Sequence, residues 1–383
     1  MLSIDKIYNI EELTLAPYAM KSKDSRGRGH KEKEHAYRSI YQRDRDRIVY
    51  STAFRRLQYK TQVFVNYEGD HYRTRLTHTL EVAQIARSIA RALQLNQDLT
   101  EAIAMAHDIG HTPFGHAGEA ELHELMKDHR GFEHNRQGLR IVDLLEKKYP
   151  NFTGLNLTWE VREGIIKHQT LYDRPEAKEF EPNKFPTLET QVVNCADEIA
   201  YDNHDLDDGL RSGLISIAEL KDISLYKDMS MQMKNNDFDG SSDIYRHQLV
   251  RNLIDFQINN LLIYSEKILK ELKIKSVLDV RNAKKTLITF TPNMLSKRKY
   301  LQSFLMEKLY KNYKVMRMSD KARRFINQLF KVYLAKPKQL PPTVQQWIKA
   351  ESKYRAICDY IAGMTDRYAL DEYKKLFTPY ERV

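Results

Sequence analysis

The stretch Asp98–Glu119, DLTEAIAMAHDIGHTPFGHAGE, decides how the rest of the chain is read. Asp98, with Glu101 three residues on, has the spacing of a capping box, so a helix is expected to begin here. Ala102, Ala104 and Ala106 would let that helix approach its neighbours closely, while Ile103 and Ile109 supply bulk. His107 and Asp108 arrive side by side at its end. Gly110 and Pro113 then break the helix and set that pair apart from His116 and Glu119, three residues apart on a resumed helix; His111 falls one turn beyond His107. So many imidazoles and carboxylates at one helix-loop-helix junction call for a metal, provided other ligands come from elsewhere.

Other ligands are on offer on both sides. Upstream, a helix is expected from about Thr74 to Leu93, with Val82, Ile85, Ala86, Ile89 and Leu93 as its apolar stripe. His78 lies one turn before Val82 on the same inward side, and Arg75 three residues earlier on that face. An arginine on a buried side wants an anion. Downstream, 130–148 and 156–169 read as amphipathic helices, with His134 near the start of the first and His168 at the end of the second. Thr187 opens the next one, TLETQVVNCADEIAYDNHDLDDGL. Its apolar face is Leu188, Val192, Cys195, Ala196 and Ile199, and Asp197, Tyr201 and Asp205, spaced by four, form one polar stripe. A carboxylate in so apolar a helix is costly unless paired or metal-bound, which makes Asp197 the fourth ligand candidate.

Composition bounds the alternatives. With 383 residues, 42% hydrophobic and 30% charged, the chain suits one large or two fused soluble domains. No run approaches the ~18 apolar residues of a membrane helix, and MLSIDKIYNIEEL lacks a secretory apolar region, so a cytoplasmic enzyme without membrane partners is expected. Cys195 and Cys358 lie far apart, which leaves no disulfide framework or zinc knuckle; metal ligands must be His and carboxylate. A net charge of +10 favours anionic partners, nucleotides or nucleic acid, without choosing between them.

The remaining pattern is mostly helical. Residues 1–33, with KSKDSRGRGH, read as a leader and a mobile polar segment, and Glu34–Lys60 as an arginine-rich helical region. Thr61–Tyr72, TQVFVNYEGDHY, suggests a short β-hairpin turning at Glu68-Gly69-Asp70. Beyond Gly213, helical periods cover 244–272, 298–334 and 343–376, broken at 237–243 and 336–342, and Thr286–Thr291 is β-like. An all-α fold is expected, with a core over 34–215 and a helical C-terminal region, 216–383, packed on it.

Taken together, His78, the pair His107-Asp108 and Asp197 resemble the H…HD…D signature of the HD-domain metal-dependent phosphohydrolases. The flanking text is more closely similar to the deoxynucleoside triphosphate triphosphohydrolases, the dGTPase-like proteins: STAFRRLQYKTQVF, RTRLTHTLEV, HDIGHTPFGHAGE, FEHNRQGLR, ADEIAYDNHD and CDYIAGMTDRYA. The similarity runs from about Ser25 to Leu370. The bare signature is moderately specific and the long HDIGHTPFGHAGE string highly so.

The resemblance implies a helical HD phosphohydrolase core that converts dGTP or other dNTPs to a deoxynucleoside and inorganic triphosphate. His78, His107, Asp108 and Asp197 would hold a divalent metal, Mg or Mn first, with Co, Ni, Zn or Fe suited to the same mixed N,O set. His116, oriented by Glu119, and His134 would move the proton. Arg75 and His111 would meet phosphate oxygens, Tyr201 and Asp205 the deoxyribose, and Gln62 and Val63 the sugar edge. The family further implies a homo-oligomer, a hexamer or a dimer, and a dNTP activator for some members. Two other readings fit the same residues: a different HD phosphohydrolase, such as a nucleotidase or an alarmone hydrolase, and a regulatory HD protein that binds single-stranded nucleic acid.

Overall fold

The computed structural model describes residues 2–62, 73–168, 178–232 and 243–382. Among them are eighteen α-helices, and β pairing is confined to three isolated bridges, Arg28 with Thr158, Thr61 with Thr74 and Lys147 with Gly154. The chain is all-α. The expected hairpin falls largely on residues 63–72, outside the described residues, as does most of the break at 237–243; Thr61 and Thr74 form only a single bridge.

By compactness the chain divides into two units, each built from three separated stretches. One comprises Met1–Arg45, Leu80–Ala104 and Thr158–Val315. Its centre is helix Leu188–Arg211, capped by the Thr187 hydroxyl, which accepts from the Thr190 amide. Leu188, Val192, Ala196 and Ile199 are fully buried, and Asp202, Asp205, Asp207 and Asp208 are buried as well. Buried carboxylates must be paired. Arg298 binds Asp202 at 2.8 Å, and Arg246 reaches Asp207 at 3.0 Å. These arginines come from Pro292–Leu305 and Asp243–Glu271, two helices that pack on the central one.

Three local expectations change in this unit. Helix Gln97–Ala106 is capped by Asn96, whose Oδ1 accepts from the Leu99 amide at 3.1 Å. Asp98 instead accepts from the Ser39 hydroxyl, and Glu101 faces Arg45. The β-like stretch Thr286–Thr291 forms no strand, because side chains take its backbone: Gln191 accepts from the Leu287 and Ile288 amides, and Ser265 from Thr289. The segment read as mobile contains helix Ile4–Thr14 and is tied by buried carboxylates, Glu11 to Ser22, Glu160 to Ser25 and the Arg26 amide, and Asp44 to Arg28. Their reach across the chain is invisible to a local pattern.

The other unit comprises Asp46–Thr79, Met105–Leu157 and Met316–Val383. Its apolar core joins Phe114, Leu122 and Met126 of one stretch to Ile326, Phe330 and Ile357 of another. Helices Gly115–Leu125, His134–Arg140, Lys353–Ala362 and Asp366–Phe377 belong here. The helix expected over 130–148 is shorter, ending at Arg140 in one π-helical turn, Ile141–Leu145. No described helix is long and apolar enough to cross a membrane.

Candidate active site

Three of the four expected metal ligands converge within the second unit. His78 sits one turn into helix Arg75–Ala92, and His107 and Asp108 leave the end of Gln97–Ala106 in a turn. One ligand atom from each lies within 4.8 Å of the others, and their residues are only 1%, 2% and 2% exposed. Asp108 Oδ1 accepts from Arg75 Nη1 at 2.9 Å and lies 3.0 Å from His111 Nδ1. Asp108 Oδ2 is buried with no hydrogen-bond partner. A buried, unpartnered carboxylate oxygen costs roughly 1–3 kcal/mol or more. A divalent cation would satisfy it, and two imidazoles with a carboxylate are the donor set such cations take. Burial acts to raise the Asp108 carboxyl, but Arg75, His111 and His107 outweigh it and hold it well below the usual range, so it is ionised.

The second cluster follows the break. Phe114 and Gly115 both adopt left-handed backbone, φ 63 and 56. For Phe114 this costs roughly 1–2 kcal/mol, and the conformation is held by its amide, which donates to Asp366 Oδ1 at 2.8 Å, and by burial of its ring in the core. Helix Gly115–Leu125 then carries His116 and Glu119. Glu119 Oε1 accepts from the His134 amide at 2.8 Å and lies 3.0 Å from His134 Nδ1. Because a carboxylate only accepts, Nδ1 of His134 carries a proton. His134 opens helix His134–Arg140, whose amides Glu133 caps, and its ring stacks on His111 at 3.9 Å.

Glu119 therefore orients His134, where His116 was expected. His116 is 49% exposed in its side chain, with Nδ1 3.9 Å from Glu119 Oε2. The sequence spacing of three suggested the nearer pair, but the rigid partner comes from the next helix. Burial raises the Glu119 carboxyl, yet His134, His111 and His116 together bring it well below the ordinary glutamate value. His111 is driven well below the usual imidazole value by its burial and by Arg75 and His134, and is neutral.

Arg75 is almost fully buried, and beyond Asp108 its Nε and Nη2 have no hydrogen-bond partner. Two buried guanidinium donors next to a metal-type cluster are suited to phosphate oxygens. Gln62 is buried in the same unit with Oε1 unpartnered, and Val63 lies outside the described residues. Asp197, Tyr201 and Asp205 belong to the first unit, on the central helix. There Asp197 Oδ2 lies 3.2 Å from His168 Nε2, and the Tyr310 hydroxyl donates to Asp205 and sits 2.6 Å from the Tyr201 hydroxyl. Tyr310 was not legible, since nothing local marks it. Lys60 and Asp366 lie within the family-like stretches of sequence, but nothing in their spacing points to a role.

Two family models match this chain: the HD domain over residues 75–202 and a phosphohydrolase-associated domain over 288–375. A deoxyguanosinetriphosphate triphosphohydrolase-like protein of Geobacter sulfurreducens is 49% identical over 385 residues, covering 100% of both chains. Proteins of the same description from Geobacter metallireducens and Thiobacillus denitrificans are 49% and 50% identical, covering 97% and 96% of this chain and 97% and 98% of their own. The chain belongs to this HD-domain phosphohydrolase family. The HD match encloses His78, His107, Asp108 and Asp197 along with the His111–His134 cluster, and the associated-domain match encloses Tyr310 and Asp366. As an HD-domain phosphohydrolase, the protein has in His78, His107 and Asp108 a group that could hold the metal such enzymes use.

Proposed function

We propose that the protein is a divalent-metal-dependent dNTP triphosphohydrolase, cleaving dGTP or another dNTP between the 5′ oxygen and the α-phosphorus to release a deoxynucleoside and inorganic triphosphate. The observation that carries the reading is the buried pairing of Asp108, its Oδ2 unpartnered, with an Arg75 whose Nε and Nη2 are also unpartnered. The name of relatives near 50% identity, deoxyguanosinetriphosphate triphosphohydrolase-like protein, supports a dNTP as substrate.

His78, His107 and Asp108 would hold the cation; the family signature alone, not geometry, adds Asp197. Bound there, a divalent ion supplies Lewis acidity toward phosphoryl oxygens and lowers the pKa of a coordinated water. Arg75 offers the N–H groups of its Nε and Nη2 to the phosphates and neutralises the charge that grows in the transition state. With Nδ1–H fixed on Glu119, His134 uses Nε2 to take a proton from the attacking water or return one to the leaving oxygen. The exposed His116 is the second proton-transfer group. Gln62 and Val63, with Tyr201 and Asp205, are proposed as the sugar contacts that exclude a ribose.

Product analysis tests this: each dNTP alone and in mixtures, with Mn or Mg, followed for deoxynucleoside and triphosphate. Release of monophosphate and pyrophosphate, or no turnover of any mixture, would sink the proposal.

A further inference from the structure

We infer that the C-terminal segment Ala362–Asp366 is a positioning clamp for the proton-transfer loop, acting through Asp366 and Lys60 on the two segments that flank the site. The proposal rests on the triphosphohydrolase reading above for what the loop does, and on geometry for the clamp itself. Asp366, in the first turn of Asp366–Phe377, is buried and spends both carboxylate oxygens on backbone elsewhere. Oδ1 accepts from the Phe114 amide at 2.8 Å, at the strained start of the helix bearing His116 and Glu119. Oδ2 accepts from the Thr61 amide at 2.8 Å and from the Thr61 hydroxyl, directly before Gln62. One rigid carboxylate thus sets the spacing between the proposed sugar-edge segment and the proton-transfer helix.

Lys60 repeats the arrangement one residue earlier. Its buried Nζ donates to the His111 carbonyl and, at 3.0 Å, to the Ala362 carbonyl, while its own carbonyl accepts from the Arg75 amide. Its amine is brought down to about 7, first by burial and then by the Arg56 charge. A neutral amine has two N–H groups, matching the two carbonyls. The residues that the clamp touches, Thr61, Arg75, His111 and Phe114, are proposed site residues or lie within two positions of one, and none is a proposed metal ligand. Asp366 itself touches only Thr61 and Phe114, so its arm of the clamp acts on substrate and proton geometry and not on the metal ligands.

The test uses the full chain with Asp366→Asn, Thr61→Val and Thr61→Ser. Asn keeps the shape but has one acceptor oxygen, so one of the two ties must fail. Hydrogen exchange is read at 60–62 and 111–119, metal content on the purified protein, and kcat and KM on whichever dNTP is turned over. Expected are faster exchange at one or both segments in D366N, kcat down roughly 10- to 100-fold, and metal content unchanged, since small misplacements cost that much. T61V loses turnover and T61S regains it. Wild-type protection at both segments in D366N, or a kcat loss matching only the unfolded fraction, would overturn the clamp. Should the wild type hydrolyse no dNTP, the reaction assignment fails by itself, and exchange still decides the clamp.

Discussion

Replacing Gly110 with alanine tests how tightly the turn that carries His107 and Asp108 packs on helix His134–Arg140. A Cβ there would stand 1.9 Å from the His134 carbonyl oxygen, 2.4 Å from the Gly138 amide nitrogen and 2.9 Å from the Gly138 Cα. All three atoms are backbone of helix His134–Arg140, so no side chain can swing aside. Reaching even 3.0 Å from the carbonyl requires a displacement of about 1.1 Å, the difference from 1.9 Å. Should the helix move away by that amount, the 3.0 Å separation of His134 Nδ1 and Glu119 Oε1 can open to as much as about 4 Å, too long for a hydrogen bond. Overpacking costs about 1–3 kcal/mol, and a buried charge-assisted hydrogen bond about 1.5–3, a large part of a total stability near 5–15 kcal/mol. Turnover should fall about 100-fold or more. Urea unfolding, metal content and kcat are the measurements, with Gly213→Ala as control. Gly213 has φ +71, and the place a Cβ would take there has no atom within 4 Å. Its replacement should cost only the left-handed penalty of about 1 kcal/mol and leave kcat alone. A G110A enzyme with wild-type midpoint and kcat would refute the packing argument.

His107→Ala should lose bound metal and activity together, whereas His116→Ala should keep metal and lose turnover; equal metal loss in both would make His116 a ligand. Asp197→Ala should strip metal as His107→Ala does, read by metal analysis after gel filtration, and full retention would remove Asp197 from the ligand set. Lys60 gives a pH signature. Its folded value, about 7, lies below the unfolded lysine's, so between about 7 and 10.4 the unfolded chain binds the extra proton and stability rises with pH. The gain is on the order of 4 kcal/mol. It should be missing from Lys60→Met, and parallel urea midpoints for both proteins from pH 7 to 9.5 would contradict it.

Much of the candidate cluster could be found in the sequence because its members are close together or sit at helical spacing. His107, Asp108, His111 and Glu119 share one junction, and His78 with Arg75 share one helix face, so period alone placed them. The all-α class followed from long 3.6-residue patterns, and helix Leu188–Arg211 was recognisable from its apolar face and its Thr187 start. What failed were judgements in which a long-range partner competes with a local one. Asp98 had capping-box spacing, yet Asn96 takes the cap and Asp98 turns to Ser39. Thr286–Thr291 had strand-like residues but no strand to pair with, and side chains of distant helices satisfied its amides instead. Tyr310, Lys60 and Asp366 act through partners over fifty or more positions away, for which no local spacing exists.

The break at Gly110 also means something different in three dimensions. As text it separates His107 and Asp108 from His116 and Glu119. In the structure a continuous line of polar contacts crosses it: Asp108 to His111 at 3.0 Å, His111 stacked on His134 at 3.9 Å, and His134 to Glu119 at 3.0 Å. Two stacked imidazoles so close, with Arg75 beside one of them, do not both become cations. Burial, Arg75 and His134 keep His111 neutral, whereas His134 has Glu119 on Nδ1 to balance an added charge. Under the proposed mechanism these contacts favour His134, whose ring a carboxylate already orients, over His111 as the proton acceptor. Asp108 at one end and Glu119 at the other each stabilise positive charge near themselves. Arg75 beside Asp108 and the Nδ1–H of His134 beside Glu119 keep both carboxylates ionised. What the glycine contributes is contact: without a side chain, it lets the backbone of helix His134–Arg140 lie against the turn that holds His107 and Asp108.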